Sequence, residues 1–152
     1  MNALRLLCVA WLLGVAATVA WAHKPSDSYL AIDVQGQQVT GRWDIALRDL
    51  DFAIGLDADG DGNITWGELR ARHADIAAYA QARLALRADG RACTPTVGVQ
   101  QVDEHTDGAY TVLPLVWACA GATAAPAALE VQYTLFADLD HQHRGLLKLT
   151  AQ

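Results

Sequence analysis

Four carboxylates fall within twelve residues of this chain: Asp57-Ala58-Asp59-Gly60-Asp61-Gly62-Asn63-Ile64-Thr65-Trp66-Gly67-Glu68. Calcium is a hard cation that takes six to eight oxygens in a flexible geometry, and this spacing supplies them. Asp57, Asp59 and Asp61 stand at loop positions one, three and five. Gly62 stands at position six, where the chain must turn sharply around an ion. Asn63 at seven needs only its backbone carbonyl, and Thr65 at nine can hold a bridging water. Glu68 at twelve can offer two oxygens from the first turn of a following helix. Ile64 at position eight is apolar and anchors the loop to a core or to a partner loop. The plainer alternative is an acidic, glycine-rich surface turn. Magnesium fits less well, because it gives up its waters reluctantly.

This register is that of an EF-hand calcium loop, with helices expected on both sides over about 49–86. Three features set it apart. The entering helix is short and grows out of a strand, Gly67 sits next to the bidentate position, and the sequence carries one such loop with no second to pair it. A calcium sensor opens a paired unit to expose a methionine-rich groove. The only methionine here is Met1. The expectation is therefore a structural or interaction module with Ca2+ bound, not a switch.

Histidine offers a second chemistry. A cut after Ala22 leaves His23 as the N-terminus, where its free amine and imidazole nitrogen can chelate a copper-type metal together. A third ligand could come from His105, His141 or His143. His141 and His143 alternate in Asp138-Leu139-Asp140-His141-Gln142-His143-Arg144-Gly145, a pattern able to hold zinc, nickel or copper. Without a paired ligand motif, the polar hairpin loop, ended by Gly145, is the favoured reading. His73 falls near the apolar stripe of a helix and reads as a packing residue. Enzyme signals are poor, and a hydrolase is kept only as a residual reading. Ser26 and Ser28 are the only serines, neither in a Gly-x-Ser-x-Gly turn, and there is no phosphate or dinucleotide loop.

The elements that must position these groups follow from periodicity. Leu30, Ile32 and Val34 alternate with Ala31 and Asp33, and Val39, Trp43, Ile45 and Leu47 continue the pattern after a turn at 35–38. A short helix is expected over 50–56, capped by Asp49. A longer one is expected over 65–86, rich in helix formers, with Leu69, Ile76, Ala80 and Leu84 on one stripe. Asp89-Gly90 marks a turn. Strand-like stretches follow at 97–102, 110–119, 129–136 and 146–150, with Asp107-Gly108 as a hairpin signal and 121–128 as a loop. The fold class expected is α+β: an antiparallel β-sheet or sandwich with one inserted helix–loop–helix.

The N-terminal segment reads as a signal peptide over 1–22. Arg5 precedes an uncharged apolar run, Leu6 to Ala20, that ends in Ala20-Trp21-Ala22. The alternative is an uncleaved anchor, for which the run is short. One extracytoplasmic domain, 23–152, follows, periplasmic or secreted. Cys93 and Cys119 read there as one disulfide, the alternative being two buried thiols. The chain has a formal charge of −6 and no basic run, which does not suit nucleic acid.

Three stretches resemble the extracytoplasmic head of HupE/UreJ-like bacterial membrane proteins, relatives of nickel and cobalt permeases. They are Ala22-His23-Lys24-Pro25-Ser26-Asp27-Ser28-Tyr29-Leu30, Gly41-Arg42-Trp43-Asp44-Ile45-Ala46-Leu47-Arg48-Asp49-Leu50-Asp51, and His143-Arg144-Gly145-Leu146-Leu147. The resemblance implies a β-rich head, a membrane-protein partner and metal-related transport as context. In that family helical spans follow the head. The sequence here stops at Gln152 and reads as a detached head, one half of a split gene or a fragment, so transport is not carried over. Neither partner identity nor oligomeric state is legible.

Overall fold

The computed structural model describes residues 27–152. The expected signal segment 1–22, its cleavage site and His23 lie outside the described residues. In chain order the elements are β1 (Asp27–Gln35), β2 (Gln38–Ala46), α1 (Leu47–Ile54), α2 (Trp66–Ala71), α3 (His73–Gln81), β3 (Leu84–Ala88), β4 (Arg91–Val97), β5 (Gln101–His105), β6 (Gly108–Cys119), β7 (Leu129–Tyr133) and β8 (Arg144–Ala151). Among the described residues strand predominates, and the three helices lie between β2 and β3. The α+β class expected from periodicity holds in this coarse form.

The strands form one sheet in the order β7-β3-β4-β6-β2-β1-β8, with β5 also paired to β6. It is a single curled sheet and not two packed sheets, which removes the sandwich alternative. Nor is it wholly antiparallel: β1 and β8 run parallel, with Leu30 beside Leu147 and Ile32 beside Leu149. The curl brings the last strand alongside the first, and a connection through the whole chain is the long crossover that a parallel pair requires. The alternation in β1 buries Ser28, Leu30, Ile32 and Val34. These pack with Trp43, Ile45, Leu113, Leu115 and Trp117 inside the curl. Gly41 is needed there, because a Cβ would lie 2.6 Å from the Trp117 ring.

The hairpin between β3 and β4 turns at Asp89 and Gly90, both at positive φ, the backbone twist that tight hairpins favour. Cys93 and Cys119 face each other across β4 and β6 and form the expected disulfide. It ties the strand after the helices to the end of a later strand.

The helical readings need correction. Helix α1 starts at Leu47, not Leu50, and Asp49 is not its cap. Ala46 occupies that position with no side-chain bond, because β2 runs straight into the helix. The helix expected over 65–86 is two helices, α2 and α3, interrupted at Arg72. Its backbone opens to φ −97° and ψ 5°, while its guanidinium donates to the Ile54 carbonyl at 2.7 Å. The helical path ends at Gln81, and Leu84-Ala85-Leu86-Arg87-Ala88 is a strand that buries every second residue. Ala, Leu and Arg are good helix formers, but pairing with β4 and β7 decides the conformation. The stretch at 97–102 also divides, into the end of β4 and the start of β5.

Candidate metal centre

The loop between α1 and α2 is built by a chain of side-chain bonds to backbone. Gly55 takes a left-handed conformation and ends α1, its N–H bonded to the Asp51 carbonyl. The Asp51 carboxylate then accepts the N–H groups of Leu56 and Asp57 at 2.7 and 2.9 Å, which steers the chain away from the helix axis. Leu56 is fully buried, and Ile64 packs on the same core from the far side. Two apolar residues thus hold the loop at both ends while its acidic middle stays in solvent.

Within the loop, Asp57 acts as a hub. The Gly60 and Gly62 N–H groups donate to its two carboxylate oxygens at 2.7 and 2.8 Å, and Asp61 N–H donates at 3.2 Å. Gly60 and Gly62 sit at φ 74° and 84°, the left-handed region that glycine adopts at little cost. The sharp turn expected at Gly62 is present.

On the opposite side, Thr65 and Glu68 form a reciprocal capping box at the start of α2. The Glu68 carboxylate accepts from the Thr65 N–H and hydroxyl at 2.8 and 2.7 Å, and from the Ala58 N–H at 2.8 Å. Hydrogen bonds from Thr65 and then Ala58 hold the Glu68 carboxyl below the usual glutamate range.

These bonds bring together one oxygen each from Asp57, Asp59 and Glu68, all within 4.8 Å of one another. Oxygens bound to one calcium at about 2.3–2.6 Å lie no farther apart than about 5 Å, so the group fits a single ion. Asp61 stands outside it, with its carboxylate accepting the Asn63 N–H at 2.7 Å. Asn63 is exposed, and the Thr65 hydroxyl is engaged with Glu68. Three of the six expected ligands therefore converge.

The histidines divide differently. His141 is exposed. His143 is half-buried, stacks on Tyr133 and shares a hydrogen bond between its Nε2 and the Tyr133 hydroxyl, 2.6 Å apart. Burial holds its imidazole below the ordinary histidine value against the opposing pull of Asp140 and Asp27. Among the described residues, neither belongs to a group of three or more converging ligand atoms. His73 is partly buried, as expected.

His105 is placed beside two carboxylates that the linear sequence did not single out. Its Nε2 lies 3.0 Å from Asp44 Oδ2, and its ring stacks on Tyr29 and packs at a tilt against Tyr110. Asp44, Asp103 and His105 converge within the same 4.8 Å limit. Arg42 already spans this group, donating to Asp44 through Nε at 2.8 Å and Nη2 at 2.9 Å, and to Asp103 through Nη2. It holds the Asp103 carboxyl below its usual range. The only sequence signal was the alternate spacing of Arg42 with Asp44 and of Asp103 with His105, which puts each pair on one strand face. Their meeting depends on strand order.

Among the described residues, no helix is long and apolar enough to cross a membrane. Comparison with known protein families, with curated proteins and with solved structures gives no match for this chain.

Proposed function

We propose that this protein is an exported calcium-binding domain whose single EF-hand loop, Asp57 to Glu68, acts as a local clamp in a structural or interaction module. One observation carries the reading: the convergence of Asp57, Asp59 and Glu68 oxygens within 4.8 Å, in a loop whose turn glycines and capping box match the sequence register. Asp61, the Asn63 carbonyl and Thr65 complete the ligand set, with Asp61 turning from the Asn63 N–H toward the ion. Extracellular modules of this kind bind at about 10⁻⁴ to 10⁻³ M, which suits an ion plentiful outside the cytoplasm. The expected N-terminal signal supports the compartment.

Calorimetry on the full chain and on an Asp57→Ala, Glu68→Ala double variant tests this. The parent is expected to give a one-site calcium isotherm and the variant none. Equal heats overturn the reading.

A second reading is a transition-metal accessory, the detached head of a permease-like protein with a membrane partner. The imidazole of His105 beside Asp44 and Asp103 favours it, and Arg42 counts against it by occupying both carboxylates. Metal analysis of protein purified without chelators separates the two: calcium alone supports the first, and nickel, cobalt or copper at one per chain supports the second.

A further inference from the structure

Strand β8 ends the sheet. Among the described residues it pairs with β1 and with no other strand. Its register puts Leu147 and Leu149 on the core-facing side, beside Leu30 and Ile32. Leu30 and Ile32 are 2% and 1% exposed, whereas Leu147 and Leu149 are 52% and 54% exposed. The four share one face, so the difference comes from what lies on the far side of β8. At its start, β8 is covered: the Tyr133 ring of β7 lies over Gly145, and Arg144 is held by Asp27 at 2.8 and 3.0 Å. Beyond Gly145 no other described strand pairs with this edge.

The other face of the strand is also unfilled. Leu146 is exposed, and with Lys148, Tyr29, Arg42 and Asp44, whose carboxylate is held by Arg42, it lines a hollow of about 240 Å³. Lys148 is exposed and has no ion-pair partner among the described residues. In a chain of net charge −6, β8 carries two cations and no carboxylate.

Sheet edges are ordinarily protected by prolines, bulges, inward charges or a covering element, because an unpaired row of N–H and C=O groups templates further pairing. From Leu146 to Ala151 this strand has one such device, the outward Lys148. The opposite edge strand, β7, has a matching pattern, with Leu129 and Val131 inward and Glu130 outward. However, Glu130 is engaged by Arg87 at 3.5 Å, and β7 is not paired to β8.

We propose that the β8 edge is a docking strand for an extended segment of a partner. That segment has apolar residues at alternate positions, facing Leu147 and Leu149, and an acidic residue between them, facing Lys148. Backbone pairing supplies the attachment, and the charge supplies selectivity. The apolar side chains cover core surface that β1 alone leaves open.

The probe is a fluorescein-labelled heptapeptide, Thr-Val-Glu-Val-Glu-Val-Thr, with its lysine counterpart, Thr-Val-Lys-Val-Lys-Val-Thr, as control, measured by anisotropy. The acidic peptide is expected to bind at least about tenfold tighter than the basic one, and Lys148→Glu is expected to reverse that order. Amide hydrogen exchange over residues 146–150 is expected to slow on binding by about tenfold or more. Absence of binding, or binding indifferent to Lys148→Glu, overturns the proposal. So does strong protection of residues 146–150 in the free protein. If that protection is independent of protein concentration, the chain covers its own edge. If it grows with concentration, a second copy does.

Discussion

The Glu68 carboxylate reaches across the loop to the Ala58 N–H at 2.8 Å while its other oxygen caps its own helix at Thr65. One side chain therefore closes the loop, starts α2 and supplies a converging oxygen. The capping role and the ligand role can be separated by substitution. Glu68→Gln keeps an acceptor for the cap but removes the charge, and Glu68→Ala removes both. Both variants are expected to lose calcium affinity, on the order of 100-fold. In chelator, only Glu68→Ala is expected to melt clearly below the parent, because only it loses the capping box. Isothermal titration and thermal melts in chelator check this. Equal melting of the two variants would show that the cap is not carried by the side-chain acceptor.

Calcium itself is expected to raise the melting temperature with little change in strand content. Asp57, Asp59 and Glu68 repel one another where they converge, and an ion that binds only the folded state removes that cost. At a hundredfold excess over its dissociation constant, it stabilises by about 2.7 kcal/mol. The Cys93–Cys119 bridge lies outside the loop and spans β4 and β6, so the sheet is expected to survive chelation. Circular dichroism and melts with calcium and with chelator measure both. A sheet lost in chelator would make the loop a folding nucleus.

The loop was legible in the sequence because its demands are local. Position, charge and glycine are fixed by spacing alone. The turn at Gly62 and the packing of Ile64 appear where expected, whereas the Thr65–Glu68 capping box is not foreseen from the sequence, where Thr65 reads only as the holder of a bridging water. The strands β1 and β2 were legible for the same reason, through alternation. What could not be read depends on distant pairing. Leu84 to Ala88 has the composition of a helix and becomes a strand only because β4 and β7 flank it. The meeting of Arg42, Asp44, Asp103 and His105 needs β5 and β2 on either side of β6. The parallel β1–β8 pair leaves no local trace.

Gly145→Ala is expected to destabilise the fold by about 1–3 kcal/mol through overpacking. A Cβ there would lie 2.7–2.9 Å from three atoms of the Tyr133 ring. Tyr133 cannot retreat freely, because its hydroxyl is bonded to Ser28 at 2.5 Å and to His143 at 2.6 Å. Denaturant melts measure the loss. If Tyr133→Ala combined with Gly145→Ala costs no more than Tyr133→Ala alone, the clash with this ring is its source.

Trp43 Nε1–H donates to Ser28 at 3.4 Å, leaving the Ser28 hydroxyl to donate to Tyr133 and the Tyr133 hydroxyl to donate to His143 Nε2. Every member of this chain is satisfied only when His143 Nε2 is an unprotonated acceptor. Burial lowers the His143 value below its ordinary one and pushes the Tyr133 phenol up to about 12, so both groups are held neutral. A histidine whose folded value is depressed contributes stability that is fully present above its unfolded value, about 6.5. That contribution falls away as pH drops through the lower folded value. The melting temperature is therefore expected to fall as pH drops below about 6.5, with calcium saturating throughout. In His143→Gln, whose amide oxygen can accept the same bond without titrating, this part of the fall should disappear. A His143→Gln profile that still follows the parent through this range would place the acid sensitivity elsewhere, and a parent that gains stability on acidification would reverse the sign of the argument.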